Sequence, residues 1–347
     1  MLVLMWQGLA LYFALVGLHV LLNYGGLRTY LLLPLLAPNE EEPPTWPGVT
    51  VVVMAAGPSA ALMTSHLKSL LASSTAPRQL IVAGELDAQA AAAATELGAS
   101  VSPTWPPPIQ IQTEWLLFTT PDTLHQATAL KLALGTALRA GLDALALLPR
   151  AHCLSFWDRL VVPFAEQQYF AAAPGDRLNR PHARAALATP CYFLVRQAAL
   201  HGLPSSAPPA TLEAATALAE QLKASGGAVR FMRGDFQVSV QRARTWRQLR
   251  RTARPLIGLG LGRRLLLGLS LLLSWLAVPC AIYGLATHSL PFELAALLTY
   301  AIGSAELLTW QFLCQAPLAY SFLTPISTLA FALLLLPSRL PGASSQT

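Results

Sequence analysis

An α/β domain with a mainly parallel sheet, set between one amino-terminal and about three carboxyl-terminal transmembrane α-helices, is the architecture this sequence predicts. Three observations predict it. The 347 residues are 54% hydrophobic and only 12% charged, about half the charged share of an ordinary soluble domain. Long apolar runs stand near both ends of the chain. The stretch between them alternates short β-rich apolar segments with helical ones.

The first run, Leu2 to Leu22, is broken only by Gln7 and His19. About 20 apolar residues span a bilayer. No Lys or Arg precedes the run, so an uncleaved helix is favoured over a cleaved signal peptide, which needs a basic start and a shorter core. Asn23, Gly25 and Gly26 are expected to end this helix, and Arg28 follows. Leu31 to Leu36, interrupted by Pro34, is too short to span. It is expected at the membrane interface and closes an amino-terminal segment, 1–37.

Three further runs, Leu265–Ala286, Phe292–Leu313 and Leu318–Leu336, make up a segment 263–338. Gln315, Ala316 and Pro317 leave room only for a tight turn, so the last two runs should form a helical hairpin. Just before the first of them lie Arg242, Arg244, Arg247, Arg250, Arg251, Arg254, Arg263 and Arg264, with no acid among them. Basic residues flanking spans mark the cytoplasmic side, and Arg28 marks the same side. The expectation is a multi-pass protein of the cell membrane with its middle domain in the cytoplasm. The arginines also suit anionic lipid or a phosphorylated substrate. No nucleic-acid recognition motif is present. Cys153, Cys191, Cys280 and Cys314 have no C-x-x-C spacing and no nearby His pattern, so zinc is not expected. A cytosolic placement makes them free thiols.

The middle domain is read as 47–255. A stiff polar linker, Asn39 to Pro44, leads into it. Val49–Ala55 is a continuous apolar run, as expected of a strand covered on both faces. A turn at Gly57-Pro58-Ser59 precedes a helix over Ala60–Ser73. Strands follow at Gln79–Ala83, Trp115–Thr119 and Ala144–Leu148, separated by helices at Asp87–Leu97 and Ala127–Ala140. This alternation implies parallel pairing. Such sheets bind ligands beyond the carboxyl ends of their strands, and Asp122 stands at one such end.

The ordered set of segments resembles the membrane-anchored glycosyltransferases of family 2, whose catalytic domain is of the GT-A type. Trp115-Leu116-Leu117-Phe118-Thr119-Thr120-Pro121-Asp122-Thr123 is similar to the strand ending in the family's D-x-D motif. Gly141 to Arg150 resembles the next strand, and Ser155 to Pro163 the helix after it. Asn179-Arg180-Pro181 with Ala186–Arg196, then Leu218–Gly226 with Val229–Asp235, complete the match across nearly the whole domain. The resemblance implies transfer of a sugar from a nucleotide-sugar donor to the hydroxyl of a membrane lipid, of the carotenoid, hopanoid or ceramide kind, at the cytoplasmic face. A Mg²⁺ or Mn²⁺ ion held by D-x-D would neutralise the departing diphosphate. A further carboxylate would take the acceptor proton.

The chain departs from that pattern at each chemical position. Thr120 replaces the first aspartate of D-x-D and only Asp122 remains, so any metal is expected to bind weakly and only with nucleotide. The acidic pair falls on Ala214-Ala215, with Glu213 the nearest acid. Thr189-Pro190-Cys191-Tyr192 stands for N-G-Q-F, and Ala83-Gly84-Glu85 for the aspartates near the nucleoside. Trp246, Gln248 and Arg251 resemble part of a Q-x-x-R-W element, with Thr252 in place of its tryptophan. On the enzyme reading Glu213 is the base, and Asp122, Thr120 and Arg251 hold the donor. On the alternative reading the chain is a pseudo-glycosyltransferase that binds lipid or a partner without turnover. Strand-end turn and first-turn helix acid are the non-catalytic roles of Asp122 and Glu213. Glu306 lies inside an apolar run, where an acid is normally paired or functional.

Overall fold

The computed structural model describes residues 2–37, 45–57, 59–104, 106, 111–171, 173, 175–180, 183–201, 203, 208–242, 246, 249 and 261–335. Arg251, with Arg244, Arg247, Arg250 and Arg254, lies outside them. The chain forms two compact units. A sheet unit comprises Arg28–His152 and Ala173–Arg242, and a helical unit comprises Met1–Leu27, Cys153–Ala172 and Ala243–Thr347.

The sheet unit is α/β. Its strands are β1 (Val49–Ala56), β2 (Gln79–Glu85), β3 (Ser100–Ser102), β4 (Trp115–Thr119), β5 (Thr123–His125), β6 (Ala144–Leu148), β7 (Arg150–Cys153), β8 (Phe193–Arg196), β9 (Val229–Arg233) and β10 (Val238–Arg242). Its helices are α2 (Ala60–Leu71), α3 (Ala88–Glu96), α4 (Ala129–Arg139), a short α6 (Gln197–Leu200) and α7 (Leu212–Ala224). The main sheet runs β3-β2-β1-β4-β8-β6-β9, and a small sheet runs β5-β10-β7. All main-sheet pairs are parallel except the two made by β8. The β1 run Val49–Val53 is buried throughout, because helices cover both faces of a parallel sheet. Val51, Val53, Trp115, Leu117, Leu145 and Leu147 meet Met63, Leu67 and Leu134 of the flanking helices in one core.

Three helix starts are capped by side chains that accept a backbone N–H. Ser59 caps α2, Asp87 caps α3 and Thr211 caps α7. Gly84 is required by geometry. Its φ is +121°, and a Cβ there would lie 2.1 Å from the carbonyl oxygen of Ala55 in the neighbouring strand.

The helical unit contains α5 (Phe156–Ala171), α8 (Leu261–Thr287), α9 (Leu290–Leu313) and α10 (Thr324–Leu335). It also takes most of α1 (Leu2–Leu32). Among the described residues two helices are long and apolar enough to cross a membrane, Trp6–Leu32 and Leu290–Leu313. The run Leu318–Leu336 does not form one long helix. It opens as a 3-10 turn, Leu318–Leu323, before α10 begins.

One local expectation is corrected. Asn23, Gly25 and Gly26 do not end α1, which continues to Leu32. Each glycine costs the helix only about 1 kcal/mol. Gly26 also permits a backbone approach, since a Cβ there would lie 2.4 Å from the Ala171 nitrogen of α5. Residues 34–36 pair with the edge of β9. Leu36 N–H donates to Arg233 O at 2.8 Å, Arg233 N–H donates to Pro34 O at 2.8 Å, and Leu36 is buried in the sheet core.

Candidate functional site

Parallel pairing of β1 with β2 and β4, and of β6 with β9, with β8 antiparallel to both β4 and β6, puts five carboxyl ends on one edge of the sheet. The order reverses at β1, which has β2 on one side and β4 on the other. Crevices form at such reversals. Register brings Ala55 beside Gly84, Ala56 beside Glu85 and Val53 beside Thr119. The small sheet is built from β5, β7 and β10, which follow directly on β4, β6 and β9.

The end of β4 is a hydrogen-bonded corner. Thr123 N–H donates to Thr120 O at 3.0 Å, closing a tight turn. Thr120 Oγ1 donates to Asp122 Oδ1 at 2.7 Å and lies 3.0 Å from Thr123 Oγ1. Asp122 is half-buried. Sequence reading placed Thr120 and Asp122 together, and the structure joins them directly. Asp122 occupies the strand-end turn, while Thr128 is the residue at the start of α4.

Beneath this corner lie two buried imidazoles that the sequence did not single out. His66 of α2 and His125 of β5 meet edge to face at 5.3 Å. His66 Nδ1 is bonded to Thr123 O. A carbonyl only accepts, so Nδ1 carries the proton. The other nitrogen, Nε2, is buried without a partner. Thr119 Oγ1 donates to Cys191 O at 2.8 Å and lies 3.1 Å from His125 Nε2, so that nitrogen is the donor. Burial lowers the His66 pKa to about 4, against weaker opposition from the Thr123 bond and Asp122. Burial, then His66, puts His125 well below its ordinary value. Both rings are neutral at physiological pH.

A second charged group stands at the ends of β6 and β9. Arg233 Nε lies 3.7 Å from Asp235 Oδ2, and the Arg150 guanidinium lies over the Phe236 ring at 5.9 Å. Burial raises the Asp235 pKa, and the positive charges of Arg233 and Arg150 pull it back. Sequence reading passed over this acid. Its only sequence signal is its position directly after a strand.

Glu213 is exposed in the first turn of α7, whereas Ala215, two residues on, is buried. Thr189 Oγ1 donates to Leu147 O at 2.7 Å, so the Thr189–Cys191 segment serves the strand ends through Thr189 and the Cys191 carbonyl. In the helical unit Trp246 packs on Trp157 with centroids 4.8 Å apart. Glu306 Oε2 lies 3.1 Å from His19 Nε2 and accepts from Asn23 and Gln167. Gln311 instead donates to Arg159 O.

The donor set at the β4 corner does not fit a protein-held cation. It offers one carboxylate, already engaged by Thr120, plus hydroxyls. Among the described residues no three His, Cys, Asp or Glu side chains gather at a point. A hard divalent ion takes six or more oxygens, so no chemical step is assigned to a metal here.

No protein-family model matches the chain, and no curated protein matches it. Solved structures do. A mannosyltransferase from Pyrobaculum calidifontis, in complex with GDP-Man and Mn²⁺, superposes with a TM-score of 0.55 at 18% identity, over 92% of this chain and 98% of that one. The chain shares that protein's fold. Glucosyl-3-phosphoglycerate synthase from Mycobacterium tuberculosis, in complex with phosphoglyceric acid, reaches a TM-score of 0.43 at 16% identity over 62% and 80% of the two chains. That second likeness is too distant to add to the first. At these identities the comparison speaks to the fold and leaves the chemistry to the residues.

Proposed function

We propose that this protein binds a nucleotide-sugar at the carboxyl ends of β1, β2 and β4 and transfers the sugar to a lipid hydroxyl at the cytoplasmic face of the membrane. One observation carries the reading. The shared fold covers 92% of the chain, so it extends beyond the sheet unit into helices of membrane-spanning length. Asp122 and Thr120 would face the donor's diphosphate, with Arg251 compensating charge on the departing group. Glu213 would accept the lipid's proton.

A binding test is direct. Purified protein in detergent is titrated with UDP- and GDP-sugars, with and without Mn²⁺. Binding of one donor, lost in Asp122→Ala, supports the reading. Failure of the whole panel overturns it. If transfer occurs, Glu213→Gln is expected to lower kcat about 100-fold, the usual share of a general base. An unchanged kcat would move that role to another acid, with Asp235→Asn the next comparison.

A second reading is favoured by a specific observation. Thr120 and Asp122 satisfy each other, and the acid nearest the family's base position is exposed while Ala215 is buried. A pseudo-glycosyltransferase that holds lipid or a partner without turnover has this appearance. Donor binding without transfer by any acceptor lipid would select it.

The membrane arrangement is part of the proposal: four spans, with the sheet unit cytoplasmic. Arg28 and the arginines before α8 lie at the ends of the spans that flank it, and such residues stay on the cytoplasmic side. Reporter fusions after residue 150 and at the carboxyl terminus are expected on opposite sides of the membrane. The same side for both would rule out this layout.

A further inference from the structure

The helical unit holds a half-open cavity of about 560 Å³, walled by α1, α8, α9 and the start of α10. That size falls within the range of small-molecule sites. Along α8 the wall runs from Leu273 to Leu285, and along α9 from Glu293 to Gly303. At 1.5 Å per residue this is a slot roughly 15–18 Å long. Its lining is largely aliphatic, with Val278, Ile282, Leu297 and Ile302 along its length. An elongated apolar slot between helices of membrane-spanning length fits a hydrocarbon chain.

One polar side chain ties this slot to a buried cluster. His19 lines the cavity, and its Nε2 lies 3.1 Å from Glu306 Oε2. The same oxygen accepts from Asn23 Nδ2 and Gln167 Nε2, each at 3.1 Å. The other carboxylate oxygen, Glu306 Oε1, is buried without a hydrogen bond, and so is Asn23 Oδ1. Donors therefore crowd one oxygen while two acceptors stay bare. Leaving such acceptors unmatched is costly. His19 is the member of this cluster that lines the cavity, so a ligand's O–H would meet the cluster there, and a phosphate head group would approach the carboxylate with like charge.

We propose that this cavity binds the hydrocarbon chain of a lipid alcohol, with the hydroxyl at His19, the member of the cluster that lines it. The inference deepens the lipid-acceptor reading and rests on it for the hydroxyl. Occupancy by the chain requires neither donor nor turnover.

The test uses the full chain in nanodiscs, without nucleotide-sugar, and three photoprobes. These are hexadecanol with a mid-chain diazirine, the matching hexadecane, and the matching hexadecyl phosphate. Hexadecanol is expected to label the peptides of Leu273–Leu285 and Leu297–Gly303, and excess unlabelled hexadecanol to compete it away. Its labelling should exceed that of the other two probes about fivefold, the worth of one hydrogen bond. Ala281→Phe should reduce labelling by all probes, and His19→Ala should bring the alcohol down to the alkane. If either variant fails to fold, competition in the unaltered protein decides. Labelling elsewhere, or equal labelling by alkane and alcohol, overturns the proposal. Because no donor is present, labelling here with no donor binding in the titration would remove the transferase reading and keep this site.

Discussion

Gly84→Ala is expected to be among the most damaging single-methyl additions to the sheet unit. The residue sits at φ +121°, a conformation that L side chains rarely adopt, and the added Cβ would lie 2.1 Å from Ala55 O. That oxygen belongs to β1, which is held on both sides by β2 and β4, so the neighbour cannot retreat. Backbone strain of this kind costs about 1–3 kcal/mol by itself, and a forced shift of a central strand brings the total to roughly 4 kcal/mol, the exceptional end of single substitutions. For a unit of this size that lowers Tm by about 10 °C. Gly98→Ala is the control. Gly98 also has a positive φ, +80°, but a Cβ there meets nothing within 4 Å, so only the conformational cost of about 1 kcal/mol remains. Thermal melts of both variants in detergent make the comparison. Equal losses would show that the contact with Ala55 is not what excludes a side chain.

Acid is expected to destabilise the sheet unit through His66 and His125. An unfolded histidine titrates near 6.5. Desolvation holds the folded His66 down to about 4 and His125 well below its ordinary value. The folded state therefore binds fewer protons than the unfolded one. The stability these rings contribute is intact above pH 6.5 and drains away as pH falls from 6.5 toward 4. At pH 5 the loss from His66 alone is roughly 2 kcal/mol, and His125 adds to it. Geometry supports the direction: a proton on His66 Nε2 would be a buried donor without an acceptor. Melting temperature followed from pH 7.5 to 5 should fall steeply in the parent chain and less in His66→Gln. Parallel curves would remove His66 from the explanation. Because Asp122 and Thr123 stand on this pair, donor binding should weaken over the same pH range.

The sequence by itself determined what depends on neighbours within a few residues. Unbroken apolar β-rich runs such as Val49–Val53 specify strands covered on both faces, and they were found there. Thr211 opens α7 by an equally local contact, its hydroxyl accepting a backbone N–H three residues on. The long apolar character of Trp6–Leu32 and Leu290–Leu313 is likewise a property of composition. The turn linking Thr120 to Asp122 could be placed at a strand end from the order of segments alone.

Only the tertiary structure decided the rest, for reasons of distance along the chain. His66 and His125 are 59 residues apart in sequence; the β1–β4 pairing and the short β5 strand bring them into contact. Arg150, Arg233 and Asp235 become neighbours because β6 and β9 pair in parallel and end together. Residues 34–36 read as a short apolar patch, yet an available edge at β9 satisfies their backbone groups and buries Leu36. Asn23, Gly25 and Gly26 read as a helix end, but α5 packs close enough to need Gly26, and Glu306 occupies Asn23. A residue's local preference is worth about 1 kcal/mol, and burial of a neighbouring surface outweighs it.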